Sequence, residues 1–564
     1  MRSRFFQSMC TSAAILLAST AAADADRGFA LEWQTVVNNN DLMPPLLVRT
    51  FNSYNQPSVN QNGMVVIRAR SRGGPPLGPA THGIYVRNMA ATDSPIIRIL
   101  DRTRRVPDPN NLDATFVETP SFPRIDLSSD TIATRGNHKP VHQYRLGDGS
   151  ETRAGTTGIY TTPFGQLITG AAKLGNIPEF SYLGVPEFNG LAFEVFPGAP
   201  SLSNSNTIVF KGNYSVDGDS RTGVYFRILD DQPIGGMAPP ILLANNTDTL
   251  IPGTSSVFGS TAPPSAARGK AVFAGFDNEL DPSLGGIYMA PLTYMPPLRT
   301  LIAIGESVPG VRGKATFTDL GEAVAFDGRY VGFWGAWGDE FRTVRLYCKE
   351  EGNKDRIAYC NQRLHCAATG EVLGDPNSIC DDTTDPYYGE RCYTEKLAPA
   401  NQGIFVHDTR TGKTRLVARN RGRFDEFLFW NYAGKAPCAG HHHVAMGGET
   451  DGESVRWRST AFVAVAGRRG ATHNVAFKAQ STDGAVGIYL SQKPGRAPIR
   501  TVLDTTMPGD VLDAEAPPGS MLIELGLERE GLRGNWLAVS AKMSAEGGEE
   551  EDDDMAGVYV TRIR

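Results

Sequence analysis

No Cys-x-x-Cys pair occurs anywhere in the 564 residues, which removes the usual spacings of zinc sites, thioredoxin-like redox centres and haem attachment. Also missing are the Gly-x-Ser-x-Gly elbow of serine hydrolases, the His-Glu-x-x-His helix of zinc peptidases and the Gly-x-x-x-x-Gly-Lys-Ser/Thr phosphate loop. Long apolar runs are scarce, and none reaches the ~20 residues that a membrane-spanning helix needs, so no membrane span is expected. Positive charge is not in excess: 55 Lys and Arg face 61 Asp and Glu, a formal charge of −6. Nucleic acid is therefore not an expected partner, since its binding requires a basic face.

What is present begins with a leader-like N-terminus. Arg2 and Arg4 form a basic start, Ser12 to Ala18 belong to a short apolar stretch, and Ala21-Ala22-Ala23 or Ala23-Asp24-Ala25 offers a small-residue cleavage site. Residues 1–25 are read as a signal peptide, and the mature chain as secreted or periplasmic. Removing Cys10 leaves Cys348, Cys360, Cys366, Cys380, Cys392 and Cys438. An even number in an exported chain reads as disulfides.

Gly 61 and Pro 37, set among few helix-length apolar patterns, indicate many turns and short strands. One phrase recurs seven times, as "HGIYVRN", "TGIYTTP", "TGVYFRI", "GGIYMAP", "QGIFVHD", "VGIYLSQ" and "AGVYVTR", with its glycine at Gly83, Gly158, Gly223, Gly286, Gly403, Gly487 and Gly557. A β-rich run precedes most copies, such as "MVVIRAR" at Met64 and "WLAVSAK" at Trp536, and "IIRIL" or "RTLIAIG" follows. Alternating β-branched and aromatic residues mark these runs as packed strands. A further run such as "ATFTDL" at Ala315 makes a fourth strand per unit.

Seven four-stranded antiparallel units predict an all-β, seven-bladed β-propeller over residues 26–564, with six or eight blades as the alternative count. Closure is legible at the ends. Gln34 to Val37 reads as a third strand and Leu46 to Phe51 as a fourth, with no first or second strand before them. Gly557 to Thr561 is a second strand with no third after it. The two are expected to pair in one blade, leaving no exposed edge. The pattern resembles bacterial secreted proteins built from tandem V-x-F…G-I-Y…L…P-G repeats, a propeller-like group without assigned function. That resemblance implies a fold and no catalytic residues.

Three places carry candidate chemistry. Residues 339–402 separate the fifth Gly-Ile-Tyr phrase from its preceding strand and hold five of the six cysteines, a disulfide-rich insertion that Cys438 is expected to complete. In "CAGHHH", His441 and His443 could share one face and ligate zinc or copper, although a polar loop explains them as well. Glu549, Glu550, Glu551, Asp552, Asp553 and Asp554 run together in the last hairpin, and the equivalent hairpin of the third unit holds Asp217 and Asp219. Carboxylates gathered on one rim suit calcium, while one or two acids per loop are ordinary turn chemistry. The sequence favours a binding or scaffold module for an extracellular or envelope protein or glycan, with divalent-cation dependence through that rim, and not an enzyme. The alternative is a hydrolase or lyase acting on a polysaccharide, its site in the central channel.

Overall fold

Each Gly-Ile-Tyr phrase forms a strand paired antiparallel with the run before it. His82–Asn88 pairs with Met64–Ser71, Gly285–Pro291 with Lys270–Phe276, and Met555–Arg562 with Trp536–Ala545. An outer strand and an inner segment complete each sheet. The computed structural model describes residues 31–45, 47–73, 78–145, 150–348, 354–361, 365–366, 392–433, 456–468, 472–494, 497–545 and 554–563. It contains seven such sheets, the blades of a β-propeller. They are numbered here from blade 1, which starts at Phe51, to blade 7, which starts at Ser520.

The ring closes as the two ends of the repeat suggested. Trp33–Asn38 is the outermost strand of blade 7, with Trp33 opposite Thr561 and Asn38 opposite Gly557. Innermost strands of neighbouring blades touch in an unbroken circle, from Ser58–Val59 through Arg124–Ile125 and onward to Leu532–Arg533, which returns to Ser58–Val59. Seven apolar clusters fill the seams. Between blades 4 and 5, Val272 and Ile287 pack with Val331 and Phe333. At the closing seam, Val37 and Val558 pack with Val65 and Ile67.

One boundary differs from the sequence reading. Leu46 to Phe51 is not a fourth strand of the shared blade; instead Phe51–Tyr54 is the innermost strand of blade 1 and pairs with Met64–Ser71. Likewise Phe317–Leu320, from "ATFTDL", opens blade 5 by pairing with Tyr330–Trp337. In blades 1 to 6 the chain enters at the axis and leaves at the periphery, so the run that looked like the end of one unit begins the next.

The geometry explains the phrase itself. In six blades the aromatic residue of Gly-Ile-Tyr meets a phenylalanine of the innermost segment edge-on. Phe51–Tyr85, Phe116–Tyr160, Phe193–Tyr225, Phe258–Tyr288, Phe317–Phe405 and Phe424–Tyr489 have ring centroids 4.7–5.2 Å apart. Such T-shaped pairs favour contact beyond their buried area. The glycine makes room for the ring: a Cβ at Gly83 would stand 2.7 Å from both the Leu100 carbonyl oxygen and the Tyr85 hydroxyl.

Two additions stand on the propeller. Between two strands of blade 5, Phe341–Tyr347, His365–Cys366 and Cys392–Pro399 form a three-stranded sheet beside helix Lys354–Asn361. Cys348 and Cys360 are disulfide-bonded there. From blade 6 projects a two-stranded arm, Leu428–Ala433 against Arg456–Ala461. The additions meet where Cys348 and Cys360 pack with Tyr432 and Trp457. Among the described residues, no helix is long and apolar enough to cross a membrane.

Candidate functional site at the propeller axis

The innermost segment is broken in most blades, and these breaks build a cavity. Blade 1 is interrupted between Phe51–Tyr54 and Ser58–Val59, blade 2 before Arg124–Ile125, and blade 5 between Phe317–Leu320 and Ala325–Phe326. In blade 7 the break falls between Ser520–Gly526 and Leu532–Arg533, and in blade 6 the whole arm fills it. The resulting cavity of about 1280 Å³ is lined by residues of all seven blades, among them Gln56, Phe122, Ala199, Pro263, Gly321 and Glu528. It reaches the rim of the hairpins between second and third strands, where Glu279 and Asp554 join its wall.

A buried ion cluster faces the axis. Arg124 donates from NH2 to Glu528 Oε1 at 2.9 Å, and Arg529 Nε lies 3.8 Å from the same oxygen. Burial alone would raise the Glu528 carboxyl, but Arg124 and Arg529 outweigh it and hold the group ionised below its ordinary range. Burial lowers Arg529 to about 10, with Arg124 adding to the effect. Arg533 and Glu530 continue the cluster outside the lining, 3.6 Å apart and 2% exposed each.

Asp319 has the opposite environment. Burial raises its carboxyl to about 6; the Leu320 backbone N–H pulls it down and nearby Glu322 pushes it up. An acid of this kind keeps a proton available near neutral pH. Asp319 and Glu322 lie on the blade 5 wall beside Trp334, whose indole N–H donates to Gln402 Oε1 at 2.9 Å. The arm of the neighbouring blade 6 adds Phe429, Trp430 and Trp457 to the lining; Lys478 Nζ sits 4.3 Å from the Phe429 ring centre. Glu279 of blade 4 forms a salt bridge to Arg456 on that arm, and Arg458 NH2 is 3.8 Å from it. This clasp links blades 4 and 6 past blade 5.

Among the described residues eight arginines and lysines line the cavity against six carboxylates, an excess of positive charge in a chain that is acidic overall. Eight aromatic side chains line it too, including three of the six tryptophans. Among the described residues no histidine lines the cavity.

The residues singled out by sequence fare unevenly. Asp554 lines the cavity but pairs with Lys542 at 2.7 Å. Asp217 and Asp219 are exposed, and Asp219 pairs with Arg221 at 3.1 Å. Glu549 to Asp553, His441, His443, Cys380 and Cys438 lie outside the described residues. Among the described residues no group of three or more His, Cys, Asp or Glu could hold a metal. Cys366 stands opposite Cys392 in backbone register. Arg124, Asp319, Glu528 and Arg529 were not anticipated; the one available signal was the charged "EREGLR" at Glu528, placed where an apolar inner strand belongs.

No protein-family model matches this chain, and no curated protein matches it. Solved structures do. An oligogalacturonate lyase in complex with manganese is 8% identical, with 95% of this chain and 97% of that one covered at a TM-score of 0.39. The β-propeller domain of the Trilobed protease from Pyrococcus furiosus is 8% identical, with 90% and 98% covered at 0.35. The Trypanosoma rangeli sialidase is 10% identical, with 81% and 59% covered at 0.32. The chain is thus a seven-bladed propeller similar, at low identity, to several carbohydrate-acting and hydrolytic propeller enzymes. The expectation of a non-enzyme is contradicted by this: most of the similar structures are named as enzymes.

Proposed function

We propose that this protein is an enzyme that cleaves a polysaccharide in the axial cavity, as a hydrolase or a lyase, with Asp319 as the proton donor. The observation that carries the reading is Asp319 itself. It is a carboxyl group raised to about 6 by burial, in a cavity whose walls combine aromatic faces with hydrogen-bonding groups. Sugar rings stack on aromatic faces through their C–H surfaces, while their hydroxyls need polar partners. Both reaction classes require a proton for the departing glycosidic oxygen. In hydrolysis Asp319 supplies it while a second carboxylate, Glu322 or Glu524, takes a proton from the incoming water. In elimination a base removes the ring proton, and the same acid protonates the leaving oxygen.

The leader-like N-terminus supports action outside the cytoplasm, where polysaccharides and envelope glycans are met. The test is a panel of neutral and acidic polysaccharides, run with added calcium and with chelator. New reducing ends report cleavage, and ultraviolet absorbance of an unsaturated product separates lyase from hydrolase. Activity should appear on at least one substrate and fall about 10²–10⁴-fold in Asp319→Asn. Cleavage that survives the substitution at full rate removes Asp319 from the reaction.

A further inference from the structure

We propose that the glycan taken by this cavity is anionic, its sugar rings carrying carboxylate or sulfate, and that Arg124 at the axis receives the negative group. The inference rests on the polysaccharide reading and narrows its substrate class.

Three observations carry it. First, Arg124 is 2% exposed, lines the cavity and spends one nitrogen on Glu528, yet its Nε and NH1 have no hydrogen-bond partner. A guanidinium is a planar fork shaped for carboxylate and sulfate oxygens, and buried donors left empty are costly. Glu528 cannot neutralise its surroundings alone, because Arg529 reaches the same oxygen. Second, two more buried donors of the lining stand empty, the Tyr54 hydroxyl and the Trp430 indole N–H, against a single empty acceptor, Asn39 Oδ1. A site short of acceptors is completed by a ligand rich in them. Third, among the described residues the sign of the lining opposes that of the chain: eight cations to six carboxylates, against −6 for the whole sequence. An acidic protein concentrates positive charge in one concave site when that site must attract anions.

Calorimetry on Asp319→Asn protein, expected to turn substrate over about 10²–10⁴-fold more slowly, tests the proposal with four probes. They are a hexuronate trisaccharide, its carboxyl-reduced neutral counterpart, a sulfated trisaccharide and sodium acetate. The uronate or the sulfated sugar should bind at least tenfold more tightly than the neutral one and lose affinity as salt is raised. Whichever of the two does so identifies the source of the charge. Adding Arg124→Gln should bring charged and neutral sugars to parity. Because Arg124 is buried, a second variant, Arg70→Gln at an exposed position of the wall, should weaken the salt dependence without affecting the fold. Equal binding of charged and neutral sugars overturns the anionic assignment and leaves the polysaccharide reading standing. Binding of acetate alone, with no affinity for any trisaccharide, overturns both.

Discussion

Asn38 donates its side-chain amide to the Asp513 carboxylate at 3.0 Å, across 475 positions of sequence. Thr35 and Asn40 add hydrogen bonds to Asp513 and Glu515 from the same N-terminal segment. These contacts fasten the strand that closes the ring, and the apolar seam beneath it, with Val36 and Val37 fully buried, supplies most of the adhesion. A charge placed there has no partner. Val37→Asp is expected to destabilise the fold by about 3–5 kcal/mol, read as a large drop in the thermal midpoint, while Asn38→Ala should cost about 1 kcal/mol. A Val37→Asp protein that melts like the parent would mean that the seam does not hold the ring.

Asp319 should leave a mark on stability as well as on catalysis. Its folded carboxyl titrates near 6, against roughly 3.9 for an unperturbed aspartate. Between those values the folded chain holds a proton that the unfolded chain has released, so this group's contribution falls as pH rises through the window. Above about pH 7 the buried charge costs on the order of 3 kcal/mol. Asp319→Asn should therefore be more stable than the parent near neutrality, with the difference vanishing at about pH 4. His138 and His407 act in the opposite sense. Burial lowers both to about 4, so the unfolded chain binds protons first and both proteins lose stability on acidification. The informative quantity is the difference between the two melting curves, and a constant difference across pH would refute the environment assigned to Asp319.

The cysteines make a separate prediction. Cys348 and Cys360 are bonded, and the register that sets Cys366 against Cys392 favours a second bridge in the same sheet. With Cys10 removed as part of the expected leader, parity then assigns Cys380 to Cys438. Peptide mapping without reductant should return these three pairs, and a free thiol at Cys438 would contradict the assignment.

The sequence displays the fold more openly than the site, for a physical reason. A strand is a local object: alternation, a turn and a glycine that clears space for a tyrosine all fall within one short stretch, and the propeller repeats that stretch seven times. Blade boundaries are harder, because the Phe317 run is adjacent in sequence to the blade before it and hydrogen-bonded in the blade after it. The cavity is harder still. Arg124 comes from the two-residue inner strand of blade 2 and Glu528 from a break in the inner strand of blade 7, and neither stretch looks different from an ordinary turn. Nothing near Asp319 announces a raised carboxyl, since its environment is made by burial and by Glu322. The conspicuous features, the histidine triplet and the acidic run, drew attention because their residues are contiguous. A site drawn from seven blades has no contiguous signature.

The pairing of Trp33–Asn38 with Met555–Arg562 sets an order in time. The closing strand Trp33–Asn38 is made about 520 residues before the strand it pairs with, and it can pair only once that strand exists. At roughly 5–20 residues per second the wait is on the order of half a minute to two minutes. Throughout it the newborn polypeptide carries Trp33–Asn38 as a sticky, unsatisfied ribbon, with an open-sided arc of growing blades behind it. Holdase chaperones, or the confinement of a translocation channel, would find their natural client in that interval, and premature pairing of the ribbon with another molecule's last blade would link two chains in a domain-swapped dimer.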